Sequence, residues 1–387
     1  MTILMLNTLY YPTQVGGAER SVQILAEDLV QMRHKVVVAC LNNKNDNFFT
    51  HNGVKVYTFK NKNIYWPFDY KKPTNIKKVL WHLIDTYLNL QEHQINKLIK
   101  IEKPDLVLIN NISGFTVNIL KTIRNHKIPI VQTIRDYYYL CIKSTCFNNS
   151  NCSQLCKSCK LTSRHKLHHL NQYADCIVGI SDFVIRKHQK HALDLKKPTV
   201  KIYNAAKKYS TEKLSCFKKG KNISFGYIGK ITEEKGVEKM LSLMEQVRLQ
   251  GYNFGIKLAG EGDSKYIDSL ILRFPNLNLN FLGFQKPSFF YSSIHALIVP
   301  SLWNEPFGRV VIEGAYNDLP IFVSNNGALL ELRKKLKGVK EFDMTSVCNF
   351  IKSPESFEFT YDLSEFSSAI ISKQYENLFL KLLTNEN

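Results

Sequence analysis

The chain reads as an α/β protein made of two doubly wound domains, each built on a mostly parallel sheet. Three observations predict this. Short apolar runs of buried-strand type alternate with amphipathic segments through the first half. The rhythm pauses in a polar, Lys-rich stretch at about 205–221 and then restarts. A length of 387 residues exceeds one ordinary core and suits two.

The first strand is Ile3–Leu6. Thr8–Gly17 is a loop ending in Gly16-Gly17, and Ala18–Met32 is an amphipathic helix. Lys35–Ala39 and Val54–Phe59 are strands. Leu106–Ile109 and Ile128–Thr133 are strands flanking a helical segment at 114–126, and the short apolar runs Cys176–Gly179 and Thr199–Ile202 follow. After the link, Ile223–Gly229 is a strand entering a glycine turn, Lys235–Gln250 a helix, and Phe254–Ala259 a strand ending in Gly260-Glu261-Gly262. Leu279–Leu282 and Ala296–Val299 come next, then a helix from about 308 and the strand Pro320–Val323. Phe366–Leu383 is a terminal helix that has the length to return to the first domain, although periodicity does not show where it packs. The expected domains are 1–205 and 206–365, with 366–387 as the terminal segment.

Charge is unevenly distributed. The formal net charge is +19, and residues 1–200 hold 28 Lys and Arg against 13 Asp and Glu, whereas residues 201–387 hold 24 against 20. A basic first half calls for an acidic partner: an anionic membrane surface, a phosphorylated substrate or nucleic acid. A Lys- and Asn-rich genome is the plainer source of the same bias. No run approaches 18 apolar residues, so no transmembrane helix is expected. Met1–Asn7 lacks a basic region and a cleavage site, and reads as a first strand rather than a signal peptide. A cytoplasmic protein with mostly reduced cysteines is the expectation.

The most informative stretch is Pro300-Ser301-Leu302-Trp303-Asn304-Glu305-Pro306-Phe307-Gly308-Arg309-Val310-Val311-Ile312-Glu313-Gly314. A buried strand ends at Pro300, a loop carries Glu305, and a helix carries Glu313. Open α/β sheets build ligand sites where loops and helix N-termini meet at the carboxyl ends of strands. Gly16-Gly17 holds the corresponding place after the first strand, where glycine admits a close backbone and a helix N-terminus attracts phosphate. Glu19, in the first turn, suits the positive end of that helix. In the second half, Gly229-Lys230-Ile231-Thr232-Glu233-Glu234-Lys235-Gly236 sets two lysines five residues apart after a strand, as point charges for a diphosphate or simply as a solvated loop.

Tyr227–Gly236, the Gly260-Glu261-Gly262 turn, the Glu305–Glu313 pair with its Pro306-Phe307-Gly308, and the Gly16-Gly17 loop together resemble glycosyltransferase family 4, the group 1 glycosyl transferases. The likeness spans nearly the whole chain, and the paired-glutamate motif is its most specific part. It implies a GT-B fold, two Rossmann-like domains facing across a cleft, and a retaining transfer of a sugar from a nucleotide-diphosphate donor such as a UDP- or GDP-sugar. By position, Glu313 is expected at the ribose hydroxyls. Glu305 and the backbone of Pro306, Phe307 and Gly308 are expected at the donor sugar, and Lys230 and Lys235 at the diphosphate. Gly229 and Glu261 border the donor, and Gly16 and Gly17 let the first domain approach the diphosphate and the acceptor. A leaving nucleoside diphosphate gains negative charge, which fixed cations and amides stabilise. No Asp-x-Asp loop is visible, in keeping with a reaction that requires no catalytic metal.

The chain departs from the family pattern in three places. Arg135-Asp136-Tyr137 stands where many relatives carry His-Asp, so Arg135 and Asp136 are expected to border the reacting sugar with an altered preference. Asn317-Asp318-Leu319-Pro320 lacks the usual glycine before proline, and Ala328 follows Gly327 where a second glycine is frequent.

Five of the nine cysteines fall in 141–159. The spacing of Cys152, Cys156 and Cys159 is that of metal ligation, and a reducing compartment favours zinc over disulfides. The expected structural zinc set is Cys141, Cys152, Cys156 and Cys159, with Cys146 spare and His165, His168 and His169 as replacements; free thiols are the plainer reading. A second local feature is the basic aromatic segment from Lys60 through Tyr65, Trp66, Lys71, Lys72, Lys77 and Lys78 to Ile84. Lysines interleaved with aromatics fit a surface lying on anionic lipid, which would bring the enzyme to a lipid-linked acceptor on the inner face of the cytoplasmic membrane. The competing reading is a helix that buries Val79 and Leu83 in the core with its lysines in water. No nucleic-acid module is visible. Two other functions fit parts of this pattern: a nucleotide-sugar epimerase, and a non-catalytic, zinc-containing basic binding protein.

Overall fold

A computed structural model describes residues 1–13, 16–69, 73–191, 197–208 and 223–384. Lys71, Lys72 and most of the Lys-rich link lie outside the described residues. The chain forms two compact units: Met1–Cys146, Ser153–Ala205 and Phe366–Asn387 make the first, Phe147–Cys152 and Ala206–Glu365 the second.

The chain runs β1 (Thr2–Leu6), α1 (Gly17–Gln31), β2 (Lys35–Asn42), β3 (Asn47–His51), β4 (Val54–Lys60), α2 (Asn75–Tyr87), α3 (Glu92–Glu102), β5 (Leu106–Ile109), α4 (Ile119–Arg124) and β6 (Ile130–Ile134). A hairpin of β7 (Phe147–Asn148) and β8 (Ser150–Asn151) follows, then α5 (Lys157–Tyr173), β9 (Cys176–Gly179), α6 (Asp182–His191) and β10 (Thr199–Lys201). The second unit adds β11 (Ile223–Ile228), α7 (Val237–Leu249), β12 (Phe254–Ala259), α8 (Ser264–Arg273), β13 (Asn278–Gly283), α9 (Pro287–Ser292) and β14 (Ala296–Val299). It continues with α10 (Arg309–Tyr316), β15 (Ile321–Val323), α11 (Ala328–Lys335), β16 (Val339–Glu341) and α12 (Met344–Lys352), and α13 (Ser368–Thr384) closes the chain.

In the first unit the eight strands are ordered β10-β9-β6-β5-β1-β2-β4-β3, parallel except for the β3–β4 pair. In the second the order is β13-β12-β11-β14-β15-β16, all parallel. Parallel strands buried on both faces read as continuous apolar runs, and β1, β5, β6 and β14 are such runs. The core of the second unit is aromatic, with Phe225, Phe322 and Phe350 in mutual edge contact. The terminal helix α13 packs on α1, and Ser372 Oγ donates to Asp28 at 3.3 Å.

Three expectations shift locally. The helical segment at 114–126 is shortened to α4, because Gly114 and Thr116 take positive φ of 90° and 73° and break its first turns. The helix from Lys235 begins two residues later, after a 3₁₀ turn at Glu233–Lys235. The Cys-rich loop divides: Phe147–Cys152 groups with the second unit, where Asn151 Nδ2 donates to Leu302 O at 2.8 Å and Asn151 Oδ1 accepts from Asn304 N–H at 2.7 Å. Among the described residues no helix is long and apolar enough to cross a membrane.

Candidate functional site

The strand order of the second sheet reverses between β11 and β14, and the crevice outside such a reversal is where open sheets bind ligands. Both expected motifs lie there. The turn after β11 carries Lys230 and Lys235, and the loop after β14 carries Glu305. The two are stitched together by backbone, as Leu302 N–H and Trp303 N–H both donate to Glu234 O, at 2.9 and 3.1 Å. Gly236 makes the approach possible. Its φ is 73°, and a Cβ there would stand 2.2 Å from the Pro300 carbonyl oxygen.

Lys235 Nζ donates to Glu305 Oε1 at 2.7 Å, the Ser301 hydroxyl donates to the same oxygen at 2.6 Å, and the ammonium lies 4.7 Å from the Trp303 ring centroid. Burial pushes the Glu305 carboxyl up, but the Lys235 ammonium with the Ser301 and Trp303 donors outweighs it and holds the group below the usual carboxylate range. The Glu305 backbone is fixed by the next loop. Ala328 N–H donates to Glu305 O at 2.8 Å, and a Cβ on Gly327, whose φ is 65°, would meet the Glu305 backbone at 2.4 Å. Ala328, the departure from a second glycine, starts α11 without strain.

Glu313 sits one turn into α10, buried. Arg309 Nε donates to Oε1 at 2.6 Å from the preceding turn, and the Tyr291 hydroxyl donates to Oε2 at 2.8 Å. Gly308 caps α10 with a φ of 95°, and Pro306 and Phe307 are buried beside it. Lys230 and Glu261 are exposed on neighbouring turns, paired through backbone: Ile231 N–H donates to Glu261 O at 2.8 Å, and Gly229 N–H to Ala259 O at 2.9 Å. The second unit thus brings Lys230, Lys235, Glu261, Glu305 and Glu313 to one edge of one sheet. Asp318, which replaces the usual glycine, takes a φ of 53° at the end of α10, so the departure changes a helix end only.

In the first unit, β6 ends at Ile134 and delivers Arg135-Asp136. Arg135 is buried; its Nε donates to Asn110 Oδ1 at 2.9 Å and its Nη1 to Asn204 Oδ1. Asp136 Oδ1 accepts from Tyr138 N–H at 2.8 Å. Burial raises its carboxyl to about 6, against the lowering pull of the Tyr138 amide and the Lys166 ammonium, while Glu19 on α1 adds to the rise. Gly16 and Gly17 are exposed at the start of α1, where Gly16 N–H donates to Glu19 Oε2 at 2.9 Å, so Glu19 closes the helix end.

Behind Asp136 lies a buried cluster. Lys166 Nζ donates to Tyr138 O at 3.3 Å, lies 3.5 Å from the Tyr138 ring centroid, and pairs at 3.8 Å with Asp85 Oδ2; Asp85 Oδ1 in turn accepts from Gly114 N–H at 2.6 Å. Three of the four cysteines expected to bind zinc, Cys141, Cys156 and Cys159, lie together with Cys146. The Cys141 thiol is hydrogen-bonded to Cys146 and Cys159, which holds it well below the usual thiol range, and Cys156 is hydrogen-bonded to Ser158 and Cys159. Among the described residues no group of three or more His, Cys, Asp or Glu is arranged to hold a metal ion. Cys141 commits its sulfur to other thiols, and Cys156 is exposed at the head of α5. Sequence reasoning missed Ser301, Tyr291, Asn110, Asn204 and Lys166. The Arg309–Glu313 spacing of four was a readable signal; Tyr291, 22 residues from Glu313, left none.

Comparison with known proteins follows the same division. The model for Glycosyl transferases group 1 matches residues 211–341, and the model for Glycosyltransferase Family 4 matches residues 15–205. An uncharacterized 42.6 kDa protein in the cps region of Klebsiella pneumoniae is 32% identical over 344 residues, 88% of this chain and 89% of that protein. Among solved structures, sucrose-phosphate synthase from Thermosynechococcus elongatus superposes with a TM-score of 0.74 at 15% identity, covering 99% of each chain. Anabaena HepE, solved in complex with UDP and glucose, gives 0.66 at 18% identity over 98% of this chain and 100% of that one.

Proposed function

From the premise that this chain belongs to glycosyltransferase family 4, we propose that it is a retaining enzyme that moves a sugar from a UDP- or GDP-sugar to a lipid-linked or surface-polysaccharide intermediate. Capsule, O-antigen and lipopolysaccharide precursors are the acceptor class, and the cps-region relative supports it. The enzyme works at the inner face of the cytoplasmic membrane, bound peripherally through its basic first half.

One observation carries the donor assignment: the paired Lys235–Glu305 and Arg309–Glu313 groups lie together at the carboxyl edge of the second sheet, where its strand order reverses. In this reading Glu313 binds the ribose hydroxyls, with Arg309 and Tyr291 fixing both of its oxygens. Glu305 and the backbone of Pro306, Phe307 and Gly308 hold the donor sugar. An ammonium has three donors. Lys235 spends one on Glu305 and turns others, with Lys230, to the diphosphate, and Gly229 borders the donor beside them. As the glycosidic bond breaks, the departing diphosphate gains charge against these cations, and the barrier falls. Glu261 borders the same pocket. In the first unit Gly16 and Gly17, lacking side chains, let the backbone approach the diphosphate and the acceptor, and Arg135 and Asp136 border the reacting sugar. Arg135, held by two asparagine side chains, is the specificity feature that replaces the family's histidine.

The test is release of UDP or GDP from sugar donors by wild type and Glu305→Gln, with the anomeric configuration of the product read by NMR. Release that falls at least about a hundredfold in the variant, with the configuration retained, supports the assignment. An inverted product would overturn the retaining mechanism, and undiminished release would remove Glu305 from the site.

A further inference from the structure

Helix α2 is inside out. Ile76, Val79, Leu80, Leu83 and Tyr87 recur at i, i+3, i+4, i+7 and i+11, which places them on one helical face. That face points to water: Ile76 is 75% exposed and Val79 59%, and the other three are also exposed. The inner face carries polar groups. Asp85 and Thr86 are buried there beside Trp81, and Asp85 pairs with Lys166 and accepts from Gly114 N–H. The reading in which Val79 and Leu83 pack on the core is therefore reversed. An exposed contiguous apolar face on a single chain marks a surface that something covers.

The surroundings identify what covers it. Lys77 and Lys78 are exposed in the first turn of α2. Helix α5 packs beside α2, with Tyr87 Oη at 3.5 Å from Leu161 O, and Leu161 is 62% exposed between exposed Lys157, Lys160 and Arg164. No Asp or Glu occurs anywhere between Asp136 and Asp175. An apolar stripe flanked by cations and free of acids is matched to an anionic bilayer, where acyl chains take the stripe and head groups take the charges. At 13 residues α2 is too short to span, so it lies in the interface plane. Its inner face also braces the turn that carries Asp136, since Asp85 pairs with Lys166, Lys166 donates to Tyr138 O, and Tyr138 N–H donates to Asp136.

We infer that α2 is an insertion helix: Ile76, Val79, Leu80 and Leu83 enter the acyl boundary of an anionic membrane. This rests on the peripheral-membrane reading above and adds to it the contact residues and apolar insertion as the mode. The experiment is co-sedimentation of the full-length protein with vesicles of phosphatidylglycerol and phosphatidylcholine, and with phosphatidylcholine alone, at low salt and at about 0.5 M NaCl, where charge attraction is largely screened. Wild type is expected to bind the anionic vesicles and to keep part of that binding in high salt. Val79→Ser with Leu83→Ser should lower the partition coefficient at least about tenfold and remove the salt-resistant part. Both side chains are exposed, so the melting temperature should not move, and Ile76→Ser repeats the test singly. Wild-type binding equal to that of the serine variant would overturn the insertion helix and leave the membrane reading standing. No wild-type binding to any vesicle would overturn both. A dimer by sedimentation velocity that the serine variant abolishes, without vesicle binding, would assign the face to a second copy and also overturn it.

Discussion

The candidate loops of the two units carry their charges differently. In the second, each key carboxylate already has its cation: Glu305 has Lys235 at 2.7 Å and Glu313 has Arg309 at 2.6 Å, with hydroxyl donors completing both. In the first, Arg135 donates to two asparagine side chains, and Asp136, half-buried, accepts from a backbone amide with its carboxyl raised to about 6. Under the proposed function, the paired carboxylates of the second unit are the part that holds the diphosphate and ribose of a nucleotide. The first unit keeps a group close to its titration point, which suits a neighbourhood where a proton is exchanged. One fold thus supplies an edge of paired charges and a titratable edge from the same kind of loop after a parallel strand.

The largest effect should come from breaking the paired edge. Lys235→Met leaves the Glu305 carboxylate without its cation in a poorly solvated site, and urea unfolding should show a loss of about 3 kcal/mol. Adding Glu305→Gln should restore much of that loss, because the penalty belongs to the unpaired charge. A single mutant as stable as wild type would mean that the pair is not formed in solution.

The titratable edge predicts a smaller effect with a definite sign. The folded value of Asp136 lies above the unfolded one, so the folded state retains its proton where the unfolded state has lost it. That contribution is fully present below the ordinary aspartate range and disappears as pH rises through about 6. Asp136→Asn should therefore be more stable than wild type at pH 7.5, by about 1–2 kcal/mol, with the gain fading toward pH 4. A gain independent of pH would assign the effect to packing. Glu305 has the opposite sign: its lowered value gives stability that is present above the ordinary glutamate range and lost as pH falls through the folded value.

The smallest effect concerns the cysteines. Metal analysis of the purified protein tests the zinc set of Cys141, Cys152, Cys156 and Cys159: about one equivalent per chain is the result that the set predicts. Less than about half an equivalent would count against it.

The fold class was legible because buried parallel strands announce themselves as apolar runs closed by glycine or proline. The runs at β11, β12 and β14 lead directly into the turns that build the donor edge. The polar edge strand β3, Asn47–His51, carries no such run, and α3 hides among Gln, Asn and Lys. The glutamates and lysines of the second unit were visible as types at fixed spacings. Their partners Ser301 and Tyr291 were not, since a hydroxyl is recruited by tertiary position alone. The orientation of α2 was unreadable for a related reason. Its apolar period is clear, but which face meets the core depends on Lys166, some eighty residues away, drawing Asp85 inward.

The central claim is that the paired carboxylates of the second unit hold the nucleotide of a sugar donor. A thermal-shift panel of uridine, guanosine and adenosine diphosphates and their common sugar conjugates, on wild type and Glu313→Ala, tests it most directly. Ligand that binds only the folded state raises the melting temperature by mass action. The account predicts stabilisation by a uridine or guanosine nucleotide and its loss in the variant. No stabilisation by any member of the panel, or a shift equal in the variant, would contradict it.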